Sequence, residues 1–219
     1  MPSYYRRRGI NRYYRKRRRK KYYPRTAKRV AYKALYKVNR MYNSQERKFF
    51  DEVVNNQNVD WSGNLYTLNL VDQGQTDTSR IGDKLFNTYI KLNFYVQLDN
   101  VTNVNFRIVL IYDYVNTILN PGQILTDIGQ TTAPISMYVK DIRGDYKILW
   151  NKQFAFSSTY STNRTITKNI RCGLKTQFSG GTTQIQRGAM KLLLVSNINP
   201  SSANLPNIRF YSRIYFKDN

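Results

Sequence analysis

Arginine, lysine and tyrosine are the side chains with chemistry to offer in this sequence. The first 25 residues, MPSYYRRRGINRYYRKRRRKKYYPR, consist almost wholly of them. Residues 1–40 hold 17 cations and no carboxylate: Arg6, Arg7, Arg8, Arg12, Arg15, Lys16, Arg17, Arg18, Arg19, Lys20, Lys21, Arg25, Lys28, Arg29, Lys33, Lys37 and Arg40. The seven from Arg15 to Lys21 are consecutive. On an extended chain such a run tracks a phosphate backbone without demanding a base sequence. Tyr pairs at 4/5, 13/14 and 22/23 recur every nine residues. Tyr13, Tyr14, Tyr22 and Tyr23 can therefore stack on unpaired bases, which favours single strands over duplex. The same basic run also fits a nuclear localisation signal.

Other chemistries lack their side chains. The 219 residues include no His and one Cys, so a zinc site, a Cys-His dyad and a Ser-His-Asp triad are excluded. Asp141 and Asp145, four apart across Arg143-Gly144, supply too few oxygens for a hard cation, and no spacing brings a carboxylate pair into general acid-base range. We expect no metal, no cofactor and no catalytic residue. Cys172 has no internal partner for a disulfide and reads as a small buried hydrophobe near a strand end. No apolar stretch follows the N-terminal charges, and no window approaches the roughly 18 apolar residues of a membrane span. A protein kept in a reducing compartment, with no membrane partner, is the expectation.

Two parts must position these residues. The formal charge is +23, from 36 basic and 13 acidic groups, but the 179 residues after Arg40 hold 19 basic and 13 acidic groups, a net of only +6. A highly charged arm, residues 1–43, thus precedes a mildly basic domain, residues 44–219. The arm cannot bury enough surface to offset its ordering entropy and is expected to be disordered alone in solution. Over residues 27–42 a period of 3.6 emerges. Ala27, Ala31, Ala34, Leu35, Val38, Met41 and Tyr42 share one half of a helical wheel, with Arg29, Lys33, Lys37 and Arg40 in a stripe opposite. Thr26 offers an N-cap and Asn43 a stop. Basic amphipathic helices also serve as membrane-surface or calmodulin-type segments, but an alanine-rich face with few bulky anchors suits insertion poorly.

Beyond residue 46 the helical period gives way to β-branched and aromatic runs separated by Gly, Asn, Pro, Ser and Asp. Strands are predicted at 47–54, 64–71, 85–98, 104–115, 146–156, 165–174, 189–197 and 207–216. From Ile90 to Leu98 the even positions are all apolar, so one face meets a core. Phe106 to Tyr112 and Lys191 to Val195 are apolar enough for central strands. With no helices between them, eight strands predict an all-β, antiparallel jelly-roll sandwich. The 72–84 and 116–145 connections are long enough to be functional or contact surfaces, the second with a helical turn near Pro121. Lys152, Arg164, Lys168, Arg171, Arg209 and Arg213 either extend a basic surface over the domain or serve as ordinary surface charges and interface partners.

Arm and domain together resemble the capsid protein of circovirus-like viruses, which carry circular single-stranded DNA and encode a replication initiator. The tract Gln73-Gly74-Gln75-Thr76 followed by Arg80-Ile81-Gly82-Asp83-Lys84 is similar to an element of that group. The resemblance implies a jelly roll, a homo-oligomer of sixty copies in a T=1 icosahedral shell, and an inward arm that packages the genome, with virion and host-nuclear locations. Satellite RNA virus capsids are similar in layout, so DNA is favoured over RNA without being fixed. The rival class is a non-viral or phage sequence-independent nucleic-acid-binding protein of ribosomal or chromatin type, which usually continues its basic surface across the fold.

The arm's chemistry separates into two measurable parts. If all 17 cations displaced a counterion from single-stranded DNA, log affinity would fall against log salt with a slope of about −12, and incomplete contact brings it nearer half that. Replacing Tyr13, Tyr14, Tyr22 and Tyr23 by Leu should lower single-strand affinity and leave the slope nearly unchanged, because stacking does not depend on charge. Replacing Arg17, Arg18 and Arg19 by Gln should flatten it. Salt titrations on single-stranded and duplex oligonucleotides read both; a steep slope with no single-strand preference would reduce the arm to a plain polycation.

Overall fold

The structure is a computed structural model that describes residues 29–37, 47–98, 103–139, 144–157, 162–202 and 204–218. The chain divides into two units, Met1–Ser44 and Gln45–Asn219. In the first, residues 29–37 form a helix whose nine residues are all exposed. The other positions of the 27–42 helix expectation lie outside the described residues.

The described residues of the second unit form nine strands: β1 (Lys48–Asn58), β2 (Asn64–Thr67), β3 (Lys84–Gln97), β4 (Asn103–Asp113), β5 (Tyr146–Ser157), β6 (Asn163–Phe178), β7 (Ile185–Arg187), β8 (Ala189–Ser196) and β9 (Asn207–Asp218). They form a five-stranded sheet, β1-β9-β3-β6-β7, and a four-stranded sheet, β2-β8-β4-β5. All the strand pairings are antiparallel. The chain passes repeatedly from one sheet to the other, so that β1 and β2, or β3 and β4, lie in different sheets, while β4 with β5 and β6 with β7 pair as sequence neighbours. This is the jelly roll, two Greek keys with their inner faces packed together.

Alternation explains the packing. Ile90, Leu92, Phe94 and Val96 of β3 meet Ile108 and Leu110 of β4, Leu192 and Leu194 of β8, and Ile208, Phe210 and Ile214 of β9 in one core. The odd positions of β4 and β8, Val109, Ile111, Leu193 and Val195, face the other way and are equally buried. The β4–β5 connection lies over them, contributing Ile118, Ile124, Leu125 and Ala133, with Trp61 packed beside these. That is why both strands read as continuous apolar runs. Trp150 packs on the main core, its ring centroid 6.0 Å from that of Phe94.

The expectation of eight strands is met and exceeded by one. β7 and β8 are parted only by Gly188, where the chain leaves the edge of the larger sheet for the interior of the smaller. Gly188 has φ +77°, and a Cβ there would strike the Lys175 carbonyl oxygen. A buried polar cluster holds the crossing. Thr176 Oγ1 donates to the Gly188 carbonyl (2.8 Å) and accepts from Asn69 Nδ2 (2.8 Å) and Asn87 Nδ2 (2.7 Å), which fills the capacity of one hydroxyl. Asn69 Oδ1 accepts from the Met190 amide at 2.9 Å.

The Arg80 tract performs a second structural task. Arg80 is fully buried and donates to the carbonyls of Val71 (3.2 Å), Gly82 (2.5 Å), Gly180 (2.8 Å) and Thr182 (2.6 Å) and to Asp83 Oδ1 (3.2 Å). Its guanidinium lies 4.2 Å from the Phe178 ring centroid. The β2–β3 and β6–β7 connections are thereby tied through one planar fork that Lys could not replace.

Gly188→Ala should lower stability by roughly 2–4 kcal/mol, since it combines a positive φ with a backbone collision. Gly144→Ala, where a Cβ meets nothing within 4 Å, is the control and should stay within about 0.5 kcal/mol. Urea unfolding of the two full-length variants measures both; equal midpoints would mean the crossing tolerates a side chain.

Candidate nucleic-acid interface

Of the 17 arm cations, Arg29, Lys33 and Lys37 fall on the described helix, where a spacing of four places them on one exposed stripe. Arg6, Arg7, Arg8, Arg12, Arg15, Lys16, Arg17, Arg18, Arg19, Lys20, Lys21, Arg25, Lys28 and Arg40 lie outside the described residues, as do Tyr13, Tyr14, Tyr22 and Tyr23.

The six basic residues singled out in the domain separate. Lys152 is exposed on β5, in the smaller sheet. Arg164 and Lys168 have the inward parity of β6, opposite Val96 and Leu92, and Arg164 lies 5.2 Å from the Phe154 ring. Arg171, Arg209 and Arg213 share the outer face of the larger sheet. The smaller sheet's outer face is covered by the β4–β5 connection, which leaves this face as the open one within the described part of the second unit.

Strand register arranges that face in rows. One reads Phe49, Tyr215, Tyr89, Arg171 across β1, β9, β3 and β6; the next reads Asp51, Arg213, Lys91, Asn169; a third reads Val53, Tyr211, Asn93, Thr167. In a fourth, Arg209 stands beside Tyr95 and Thr165. Aromatic and cationic side chains thus alternate at strand spacing, with directly opposed Cβ atoms about 5 Å apart. Sequence reading missed Tyr89, Tyr95, Tyr211 and Tyr215, because each appears in its own strand as the ordinary polar-face residue.

The cations are unequally engaged. Arg213 makes a fork-to-fork pair with Asp51, Nε to Oδ1 and Nη2 to Oδ2 both at 2.7 Å, and lies 4.4 Å over Phe49. Hydrogen bonding to Arg213 holds the Asp51 carboxyl below its ordinary range, and the same contact pushes the guanidinium's affinity for its proton up. Arg209 Nε donates to Asn56 Oδ1 at 2.6 Å. Arg47 and Arg171 are exposed and form no ion pair or side-chain hydrogen bond among the described residues.

A β-bulge shapes the surface between them. On β3, Asn87 pairs with Leu174 and Phe216, but Tyr89 pairs with Arg171 and Tyr215, so Thr88 on β3 and Cys172-Gly173 on β6 are extra. Inward parity on β3 changes from odd (Leu85, Asn87) to even (Ile90, Leu92), and Tyr89 is turned outward. Gly173, at φ +63°, leaves the space beside it open. The result is a pocket of about 490 Å³ lined by Arg47, Thr88, Tyr89, Arg171 and Tyr215. The Tyr89 and Tyr215 rings lie 5.8 Å apart at 55°. Thr88 Oγ1 donates to the Tyr215 carbonyl at 3.0 Å, fixing the bulge to β9.

Cys172 corrects the sequence expectation in one respect. It lies inside the 16-residue β6 rather than near a strand end, because β6 runs on to Phe178. It is half-buried against the core, as a small hydrophobe would be, and burial pushes its thiol up to about 11. Asp83 pairs with Arg80. Among the described residues no group of three or more His, Cys, Asp or Glu could hold a metal, and no helix is long and apolar enough to cross a membrane.

No family model matches the chain, and no curated protein matches it. Among solved structures it is similar to a chain of Desmodium yellow mottle tymovirus, at 8% identity over 80% of this chain and 88% of that one, with a TM-score of 0.39. It is also similar to a chain of the empty capsid of Triatoma virus, at 15% identity over 80% and 88%, with a TM-score of 0.33. The fold assignment rests on the strand order itself.

Proposed function

We propose that this chain is a viral capsid protein. Residues 44–219 form the shell subunit, and residues 1–43 bind a single-stranded genome without sequence preference. One observation carries the reading: 17 cations without a carboxylate lie ahead of a jelly roll that is itself only mildly basic. The fold alone decides little, since jelly rolls serve lectins and cupins as well as capsids. A soluble enzyme or lectin has no use for such an arm, whereas a shell that must neutralise an enclosed polyanion does. A ribosomal or chromatin-type protein would use the arm equally, but would not need a two-sheet sandwich with a 32-residue connection between β4 and β5. That connection leaves Leu119, Ile135 and Met137 at 79%, 64% and 77% exposure, the kind of apolar surface that copy–copy contacts cover. The circovirus-like resemblance supplies the finer expectations of sixty copies, T=1 geometry, a DNA genome and nuclear assembly. The chain's role is structural, with no catalytic step.

Electron microscopy of the purified full-length protein should show uniform round particles. Monomers on a sizing column, with nucleic acid present, would refute the capsid reading and favour the chromatin-type alternative. Deleting residues 1–25 removes 12 cations and no core residue, so the variant should still assemble, with encapsidated nucleic acid reduced several-fold. Unchanged packaging, read as the 260/280 nm absorbance ratio of purified particles, would transfer the binding role to the domain.

A further inference from the structure

We propose that the pocket between Tyr89 and Tyr215 is a nucleotide subsite: an unpaired base packs on the tyrosine rings while Arg47 and Arg171 hold the adjoining phosphates. The inference rests on the packaging reading for the source of the strand and adds to it a fixed, single-strand-selective contact on the shell domain.

Four observations converge on the site. The rings form an open V, 5.8 Å between centroids and inclined at 55°, on the outer face of the larger sheet. A base stacked on one ring would meet the other at its edge, a favourable arrangement for π systems. The pocket, about 490 Å³, falls within the range of small-ligand sites. Its two arginines have no partner among the described residues, while the face's other arginines, Arg209 and Arg213, are engaged by Asn56 and Asp51. Arg47 and Arg171 are therefore the guanidiniums available for bidentate contact with phosphate. Finally, the pocket is built rather than incidental. Asn87, two residues before Tyr89, is locked inward by Thr176, so the Thr88 bulge must turn Tyr89 outward beside Tyr215.

Duplex nucleic acid cannot use such a site, because its base faces are already stacked within the helix. The subsite should thus take a base from an unpaired segment, of any sequence, since rings and guanidiniums offer no reading of base edges.

Photocrosslinking of the full-length protein to a single-stranded oligonucleotide carrying 5-iodouracil, mapped by mass spectrometry, tests this directly. Adducts are expected on Tyr89 or Tyr215 as well as on arm tyrosines, and annealing the complementary strand should abolish the domain adducts while arm contacts to phosphate persist. Arg171→Gln should reduce adducts at Tyr89 and Tyr215 by roughly five- to tenfold, the scale of one charge-assisted hydrogen bond, and leave arm adducts unchanged. Tyr89→Leu should reduce adducts at Tyr215, and Tyr89→Phe, which keeps the ring, should restore them; equal thermal midpoints show that the variants are folded. Adducts confined to the arm, equal yields from duplex, or indifference to Arg171→Gln would overturn the subsite and leave the packaging reading intact. Loss of particles or of arm adducts would instead strike the packaging reading.

Discussion

Thr176 Oγ1, with its three hydrogen bonds, is the contact on which the domain's connectivity turns. The chain must leave one sheet and enter the other between β7 and β8 within a single residue, and the buried Gly188 carbonyl at that point accepts from Thr176 Oγ1 at 2.8 Å and from Asn69 Nδ2 at 3.0 Å. An orphaned buried carbonyl costs about 1–3 kcal/mol. Thr176 and Asn69 both donate to the Gly188 carbonyl, and the Thr176 hydroxyl in turn accepts from Asn69 and Asn87. Four segments distant in sequence are thereby brought to one point. Because the cluster is polar inside an apolar sandwich, its directional hydrogen bonds select one arrangement, whereas the Leu and Ile contacts around it would tolerate several.

That requirement reaches the outer face. Once Asn87 is held inward, simple alternation would send Ile90 out and Tyr89 in. Thr88 resolves the conflict by bulging, so the four apolar residues from Ile90 to Val96 face the core and Tyr89 joins Tyr215 outside. Burying those apolar side chains is worth about 1.5–3 kcal/mol each, so together they outweigh one disrupted ladder position. The geometry of the exposed tyrosines is thus a by-product of core burial.

The same logic separates what the sequence shows from what it hides. Fold class was legible because periods of two are local: Ile90 to Leu98 alternates, and the apolar runs of β4 and β8 announce burial on both faces. The arm was legible from composition alone. β7 was not, because three residues before a glycine carry no periodic signal, and their pairing with Gln177 and Phe178 is a tertiary matter. The face was hidden for a related reason. Tyr215, Tyr89 and Arg171 become neighbours through register across three strands, and register depends on the bulge. The odd-to-even change of inward parity between Asn87 and Ile90 was the one trace of that bulge in the sequence, whereas Cys172 was misplaced because β6 runs past the predicted 165–174 strand to Phe178.

Charge counting is corrected in the same way. Arg80, Arg107, Lys48 and Lys191 are nearly or wholly buried, engaged by backbone carbonyls, Asn151 and the carboxylates of Asp83, Asp113 and Asp218. Burial pulls the Lys191 ammonium's proton affinity down, and Asp113 opposes that pull. Such cations hold loops to strands and are spent before any polyanion arrives. Arg80 and Arg171 are chemically identical, yet five acceptors surround one and none among the described residues meets the other. A basic composition therefore becomes a binding surface only where the fold withholds its own acceptors. In the arm, composition withholds them by omitting every carboxylate; on the open sheet face, geometry does so by giving the face a single carboxylate, Asp51, and engaging it with Arg213.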